Sequence, residues 1–228
     1  MKFSGLTNNQ LKLLAMAAML ADHAGKALLP QWTFLQIFGR LAFPIFAYMI
    51  AEGCRHTRNK PRYFLQLFGL AAGCQLVYFF AMGSLYQSVL VTFSLSVIII
   101  FSIDRFRRKP ELLSGLILAA ASATVLIACF GLPRWLPGTD YQIDYGFLGV
   151  LLPVAVYFSP TKPRKLLSVG LLLAAMSLAS SPIQWFSLLT LPLLALYNGQ
   201  RGKWQLKYVF YIFYPTHLTI IYLIGLLI

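Results

Sequence analysis

The apolar positions of the chain form long runs that are separated by short polar connections. A helix needs about 20 predominantly apolar residues to cross a membrane. The run 88–103 is short for a span, and the break at 180–182 has the Ser/Pro composition of a tight turn between two helices. The pattern predicts an all-α polytopic bundle of nine transmembrane helices in a single domain over residues 1–228. The predicted helices are 11–30, 33–54, 62–83, 88–103, 112–131, 144–159, 165–181, 182–198 and 208–228.

Composition supports the membrane interpretation. The 228 residues are 59% hydrophobic and 11% charged, with a mean hydropathy of +0.72, whereas a soluble domain is about 45–50% apolar and about 25% charged. This excludes a water-soluble globule and a disordered chain. The net charge of +13 does not indicate a nucleic-acid partner, because the basic residues separate apolar runs. Cys54, Cys74 and Cys129 lie in or beside apolar runs, so we expect buried thiols rather than a disulfide framework.

The basic residues follow an alternating pattern along the chain. All but three of the 19 Lys and Arg residues lie in the N-terminal segment or in the connections after the second, fourth, sixth and eighth predicted helices. Because Lys and Arg are retained on the cytoplasmic side, we predict a cytoplasmic N-terminus and an outer C-terminus. Asp22 and His23 interrupt the first apolar run, so we expect a retained helix rather than a cleaved signal peptide. The three basic residues that do not follow the alternation are Lys26, Arg40 and Arg134. The first residue that follows it is Lys2, in the N-terminal segment.

Ionisable side chains within the predicted helices indicate a functional site, because each one costs about 2.5–3.5 kcal/mol to insert. At a rise of 1.5 Å per residue, His23 lies about 16 Å from Lys12 and His217 about 15 Å from Lys207. Both histidines are therefore predicted near the middle of a hydrocarbon core that is about 30 Å thick. Arg40 lies about 10 Å from the opposite end of the second predicted helix. We expect these three side chains to occupy one layer of the membrane.

Structural roles remain open for the same residues. Asp22 is four residues before Lys26, which permits a local ion pair, and it can instead neutralise Arg40 on the next helix. His217 follows Pro215 and can bond a carbonyl that the proline kink releases.

Further candidates lie at the inner end of the second predicted helix. Glu52 and His56 share a helix face, but no second pair of ligand residues accompanies them, so we expect no metal site. Four basic residues lie in the same region, namely Arg55, Arg58, Lys60 and Arg62. They either only set the orientation of the helices in the membrane or also bind phosphate. The chain has no GxSxG, P-loop, HExxH or CxxC motif, which argues against hydrolase, ATPase and zinc-protease chemistry.

Sequence blocks along nearly the whole chain resemble the TraX family of conjugal-transfer proteins. The Asp-His pair, the GR-AFP-F block and the late YP-H together carry the resemblance. The blocks are KLLA at 12–15, MLADH at 19–23, GRLAFPIFA at 39–47, EGCRHT at 52–57, LVTFSL at 90–95, DYGFLG at 144–149 and FYIFYPTHL at 210–218.

The resemblance implies acyl transfer. The named member of the family is implicated in N-terminal acetylation of the conjugative pilin subunit. The family also resembles membrane acyltransferases that use cytosolic acyl-CoA to modify acceptors on the far side of the membrane, and His23 matches their catalytic histidine. The resemblance therefore implies acetyl-CoA as co-substrate, a protein amine or cell-surface molecule as acceptor, and a location in the bacterial inner membrane.

This hypothesis assigns a role to each candidate. His23 is the general base or carries the acetyl group in a two-step route. Arg40 stabilises the oxyanion or orients the thioester. Asp22 sets the local charge, and His217 is a second proton carrier or orients the acceptor. Supporting roles fall to Glu52 and His56 at the inner mouth, to Tyr145 and Tyr214 as hydrogen-bond donors, and to Arg55, Arg58, Lys60 and Arg62 as ligands of the phosphates.

Two other classes of function stay open. A proton-coupled small-molecule transporter can use the same Asp, His and Arg side chains as a proton relay, although no inverted repeat is evident. A membrane scaffold for pilus assembly needs no charged residues within its helices.

Overall fold

A computed structural model describes residues 5–203 and 206–227, with the backbone alone at Lys207 and Tyr208. Lys2, which the charge pattern includes, lies outside the described residues. A π-helical turn, Ile127–Gly131, continues α6, and a 3-10 helix, Pro182–Leu189, precedes α10. The α-helices are α1 (Asn8–Ala27), α2 (Thr33–Gly39), α3 (Ala42–His56), α4 (Lys60–Met82), α5 (Val89–Arg108), α6 (Leu112–Leu126), α7 (Leu132–Trp135), α8 (Gly146–Phe158), α9 (Lys162–Leu178), α10 (Thr190–Ala195) and α11 (Lys207–Gly225).

The predicted all-α class is confirmed, since the part of the chain that the structure describes contains helices and two isolated β-bridges but no strand. Its helices form stretches at the positions predicted for the nine spans. Four stretches are long and apolar enough to cross a membrane, namely Thr33–His56, Lys60–Met82, Val89–Arg108 and Leu112–Trp135. The number of spans and their orientation stay predictions.

Large apolar side chains cover the outer faces of several helices. On α4, Leu65 is 63% exposed, Val77 is 63% exposed and Phe80 is 80% exposed. Soluble monomers rarely expose apolar patches of this extent. These faces are suited to contact with lipid, as expected of a membrane protein.

Local sequence explains where several helices begin and end. Thr7 and Gln10 form a capping box at the start of α1, in which each side chain accepts a hydrogen bond from the backbone N–H of the other. The predicted helix 33–54 is interrupted between Gly39 and Ala42. Pro44 has no N–H to donate to the carbonyl of Arg40, which favours a break at this point.

The internal contacts divide the chain into two compact units. The first consists of the described residues of Met1–Met49 and Thr161–Ile228, and the second is Ile50–Pro160. In the first unit, α1 packs against α2 and α11, and the 3-10 helix packs against α9 and α2. In the second, α5 packs against α4, α6 and α8. The single functional domain expected over residues 1–228 stays a prediction.

Candidate functional site

Helices α1 and α11 bring two histidines into direct contact within the first unit. Nδ1 of His23 lies 2.8 Å from Nε2 of His217. The ring centroids are 5.0 Å apart and the ring planes differ by 23°, which is the arrangement of two imidazoles joined edge to edge through their nitrogen atoms. The two histidines predicted at similar depths on separate helices are therefore neighbours.

The hydrogen bonds of this pair define which nitrogen atoms carry protons. Nδ1 of His217 lies 2.7 Å from the carbonyl oxygen of Phe213, and a carbonyl can only accept, so this Nδ1 is the protonated nitrogen. In neutral His217, Nε2 then accepts a hydrogen bond, and Nδ1 of His23 donates it. Neutral His23 consequently keeps the lone pair on its Nε2. This nitrogen is the one suited to act as a base.

His217 is held more deeply than its partner. It is 4% exposed, whereas His23 is half-buried. The ring of Phe213 stacks on His217 with centroids 4.4 Å apart, and the ring of Tyr214 meets it edge-on at 5.6 Å. The proline kink leaves the carbonyl of Tyr211 without its helical donor, but His217 bonds the carbonyl of Phe213. The pair therefore consists of a fixed inner histidine and a more accessible outer one.

Asp22 forms both ion pairs that its position in the sequence permits. Its Oδ1 lies 2.5 Å from Nη2 of Arg40, and its Oδ2 lies 2.5 Å from Nζ of Lys26. The residue is 7% exposed. Each carboxylate oxygen thus bonds a cation, so Asp22 anchors Arg40 next to the histidine pair. A direct effect of Asp22 on the chemistry of His23 stays a prediction.

The guanidinium of Arg40 is held on three sides. Besides Asp22, its Nη1 donates to Oε1 of Gln184 at 3.3 Å, and its Nε donates to the carbonyl of Gln36 at 3.4 Å. Gln184 is 4% exposed and was not predicted as a site residue. Its only sequence signal is an amide within an apolar segment. These bonds fix the position of the Arg40 charge, and its role towards an oxyanion stays a prediction.

Glycines allow α1 and α2 to approach each other at this point. A Cβ added at Gly39 would lie 2.7 Å from Oδ1 of Asp22, and one added at Gly25 would lie 2.9 Å from Cβ of Leu35. Both distances are shorter than real Cβ contacts. Gly39, directly before Arg40, is therefore required for the Asp22–Arg40 ion pair in this geometry.

Arg55 stabilises the end of a helix in the second unit. Its Nη2 donates to the carbonyls of Val156 at 3.1 Å and Ser159 at 2.9 Å, and it also contacts the carbonyl of Tyr157. Cations near a helix C-terminus bond its last carbonyls and oppose its dipole. Arg55 thus has a structural role at the end of α8, and phosphate binding by it stays a prediction.

The other members of the predicted phosphate cluster differ in their contacts. Nζ of Lys60 lies 2.7 Å from Oδ2 of Asp104, which also accepts a hydrogen bond from the hydroxyl of Tyr157 at 2.6 Å. Arg58 and Arg62 are exposed, and neither side chain forms an ion pair or hydrogen bond with another described residue. These two guanidiniums are therefore accessible to a ligand, and phosphate binding by any of the four basic residues stays a prediction.

The remaining candidates also lie in the second unit. Glu52 is 6% exposed, and its carboxylate lies 3.7 Å from Nε2 of His56 and 4.0 Å from Nε of Arg55. These contacts lie at the end of α3. Tyr145 directly precedes α8 with a φ of 60°.

Within residues 5–203 and 206–227, no group of three or more His, Cys, Asp or Glu residues is arranged to hold a metal ion. The cysteines are free thiols, as their odd count and their placement predicted. The expected burial is confirmed for Cys54, whereas Cys74 and Cys129 are only half-buried.

Comparisons with known proteins identify the family. The family described as TraX protein matches residues 7–225. A probable fimbrial assembly protein FimC, serogroup H1, of Dichelobacter nodosus is 27% identical to this chain over 93% of both sequences. No solved structure matches the chain. The family resemblance is thus confirmed over almost the whole sequence, and the chain belongs to the TraX family.

Proposed function

We propose that the protein is a membrane-embedded acyltransferase of the bacterial inner membrane. It moves an acetyl group from cytosolic acetyl-CoA to an acceptor amine on the outer side. The observation that carries this proposal is the His23–His217 pair, whose hydrogen bonds leave the lone pair of neutral His23 on Nε2. A half-buried imidazole of this kind is equipped to remove a proton from an amine.

The histidine pair would supply general-base catalysis. Acetyl-CoA supplies an acetyl thioester that is activated towards nucleophiles. Nε2 of His23 accepts the proton that the attacking amine loses and returns it to the departing thiolate, so that a C–N bond forms as the C–S bond breaks. His217 holds the imidazolium through the hydrogen bond from Nδ1 of His23, because a charged donor strengthens that bond. Such catalysis contributes about 10²–10⁴-fold to the rate.

Arg40 would provide the fixed positive charge of the site. Its contacts with Asp22, Gln184 and the carbonyl of Gln36 hold the guanidinium in place. A preorganised charge needs little rearrangement when negative charge develops on the thioester carbonyl oxygen. One such donor is worth about 3–4 kcal/mol in the transition state.

The comparisons support a pilin amine as the acceptor. The relative from Dichelobacter nodosus is named as a probable fimbrial assembly protein, and fimbriae are built from pilin subunits. We therefore propose the N-terminal amine of a pilin as the acceptor. One candidate site for the phosphates of acetyl-CoA is the pair of exposed guanidiniums of Arg58 and Arg62, because Arg pairs with phosphate through parallel N–H donors.

Purified protein in detergent provides the test. Wild type, His23→Ala and the control Leu20→Ala, an exposed position on the same helix, are compared for thiol release from acetyl-CoA and for acetylation of a pilin N-terminal peptide. We expect wild type and Leu20→Ala to turn over, and His23→Ala to bind acetyl-CoA but react about 10²–10⁴ times more slowly. Failure of folded wild type to bind acetyl-CoA or release thiol would remove the proposal.

The histidine pair also suits a second function, a proton-coupled transporter, because two bonded imidazoles can relay a proton. Solute movement in liposomes driven by a pH step, without acyl-CoA, favours this alternative. Acetyl transfer to the peptide with no such movement rules against it.

A further inference from the structure

The first unit contains an unusual excess of positive charge. Asp22 is the only acidic residue in 1–49 and 161–228, and its carboxylate is taken by Arg40 and Lys26. The sequence therefore gives this unit many more basic than acidic side chains. Four of its basic residues lie near the loop after α10, namely Lys12, Lys162, Lys165 and Arg201.

The chain before α1 and the loop after α10 are joined by backbone hydrogen bonds. The N–H of Leu6 donates to the carbonyl of Leu196 at 2.8 Å, and the N–H of Asn9 donates to the carbonyl of Arg201 at 3.2 Å. Arg201 is thereby placed against the first turn of α1. Lys12 is three residues after Asn9 and lies on the same side of this helix.

Lys12 and Arg201 both belong to the corner formed by the chain before α1, the first turns of α1 and the loop after α10. Lys12 is half-buried, and its ammonium lies 4.9 Å from the ring centroid of Phe210 on α11. The backbone carbonyl of Arg201 bonds Asn9, which is three residues before Lys12 on the same helix. A cation that is partly withdrawn from water is stabilised when an anion binds beside it. A phosphate group, which carries up to two negative charges, suits this position.

Further cations and aromatic rings adjoin the same loop. Nζ of Lys162 donates to the carbonyl of Tyr197 at 2.8 Å, and Nζ of Lys165 lies 5.5 Å from the ring centroid of Tyr48. The rings of Tyr48 and Tyr197 meet edge to face at 5.9 Å. Both tyrosines are buried, so the corner presents several cations around a packed aromatic pair, and its positive charge suits the phosphates of a ligand.

One pair of helices connects this corner with the histidines. Helix α1 carries both Lys12 and His23, about 16 Å apart at 1.5 Å per residue. Helix α11 carries Phe210, which contacts Lys12, and His217, which contacts His23. A long ligand that lies along these two helices would place its phosphates at one end and its reacting group at the other.

We propose that Lys12 and Arg201 bind the phosphates of acetyl-CoA in the first unit. This inference rests on the proposed function and gives the co-substrate a binding site outside the 55–62 connection. The chemistry recognised is a phosphate anion, which acetyl-CoA and an acidic phospholipid headgroup both offer. In the 55–62 cluster, by contrast, Arg55 and Lys60 bond groups of the protein.

The test measures the Kd for CoA of purified protein in nanodiscs of zwitterionic lipid. Lys12→Gln and Arg201→Gln are compared with wild type, with the conservative Lys12→Arg and with Arg164→Gln, which removes an exposed cation from the same unit. We expect each glutamine variant at Lys12 or Arg201 to raise the Kd about tenfold, the equivalent of about 1.4 kcal/mol. Lys12→Arg and Arg164→Gln should stay within about twofold of wild type, since less than about 0.4 kcal/mol is involved. Melting temperatures identify variants that fail to fold. Because Lys12→Arg keeps the positive charge and changes the shape of the side chain, its Kd shows whether the charge alone is sufficient.

Three outcomes would overturn the inference, and they separate it from the proposed function. If wild type releases thiol but the Kd responds to Arg58→Gln or Arg62→Gln and not to Lys12→Gln or Arg201→Gln, the phosphates bind in the second unit and acyl transfer stands. If Lys12→Gln and Arg201→Gln alter only the effect of added phosphatidylglycerol, the corner binds a lipid headgroup. If folded wild type neither binds CoA nor releases thiol, both proposals fail.

Discussion

Replacing Asp22 by asparagine should destabilise the protein more than replacing Arg40 or Lys26, the two residues with which Asp22 forms ion pairs. Asp22 is 7% exposed, and the side chain of its partner Arg40 is 12% exposed. The amide of the Asp22→Asn variant would keep the shape of the side chain but leave the buried guanidinium without a counter-charge. Removing one partner of a buried ion pair costs about 3–5 kcal/mol, because the other charge stays buried and unpaired.

The neighbouring pair with Lys26 provides an internal comparison. The Lys26 side chain is 50% exposed, and an exposed ion pair is worth about 0–1 kcal/mol. Lys26→Gln should therefore have little effect. Arg40→Gln should have an intermediate effect, because Asp22 retains Lys26 as a counter-ion.

Thermal unfolding in detergent measures these differences. For a chain of this size, 1 kcal/mol corresponds to about 2–4 °C, so Asp22→Asn should lower the Tm by about 6–20 °C. A double-mutant cycle of Asp22→Asn with Arg40→Gln should be strongly non-additive, since the second change removes the charge that the first strands. An effect of Lys26→Gln as large as that of Asp22→Asn, or an additive cycle, would show that Asp22 is not the counter-ion on which the buried Arg40 depends.

Three further predictions concern the histidine pair, the helix contact and an outer loop. His217→Gln should lower kcat for thiol release about 10–100-fold, by analogy with the loss of groups that orient metal-bound histidines, and an unchanged kcat would contradict this. Gly39→Ala should cost about 1–3 kcal/mol, because the new methyl group meets Asp22, whereas Gly69→Ala, which has open space around its Cβ, should leave the Tm unchanged. Hydrogen bonds from a serine hydroxyl and the next backbone N–H lower the pKa of Asp140, so these contacts are present above its unfolded pKa and are lost as the pH falls through the lower folded value. The hydrogen-exchange protection factor of this loop, which compares its exchange rate with the intrinsic rate at the same pH, should fall in acid in wild type, and Asp140→Asn should abolish that dependence.

Local chemistry made the helices predictable. The apolar runs indicated a helical stretch at every predicted position, because a backbone in lipid must satisfy its hydrogen bonds internally. The Asp22–Lys26 pair was also predictable, since residues four apart share a helix face. The break at Arg40 was not predicted, although Pro44 supplies its physical reason. The run 88–103 was underestimated, because α5 continues through its charged last turn to Arg108.

The site itself depended on contacts between distant parts of the chain. His23 and His217 are separated by 194 positions, and depth along a helix specifies neither lateral distance nor which ring nitrogen faces the partner. Likewise, the sequence could not show that Arg55 bonds the end of α8 or that Gln184 bonds Arg40. The helices, their apolar surroundings and the few costly polar residues within them are predictable from the amino-acid order, because they follow from local hydrophobicity and backbone hydrogen bonding. Which polar side chains meet is known only from the folded chain, because packing between helices brings together residues that no local rule relates.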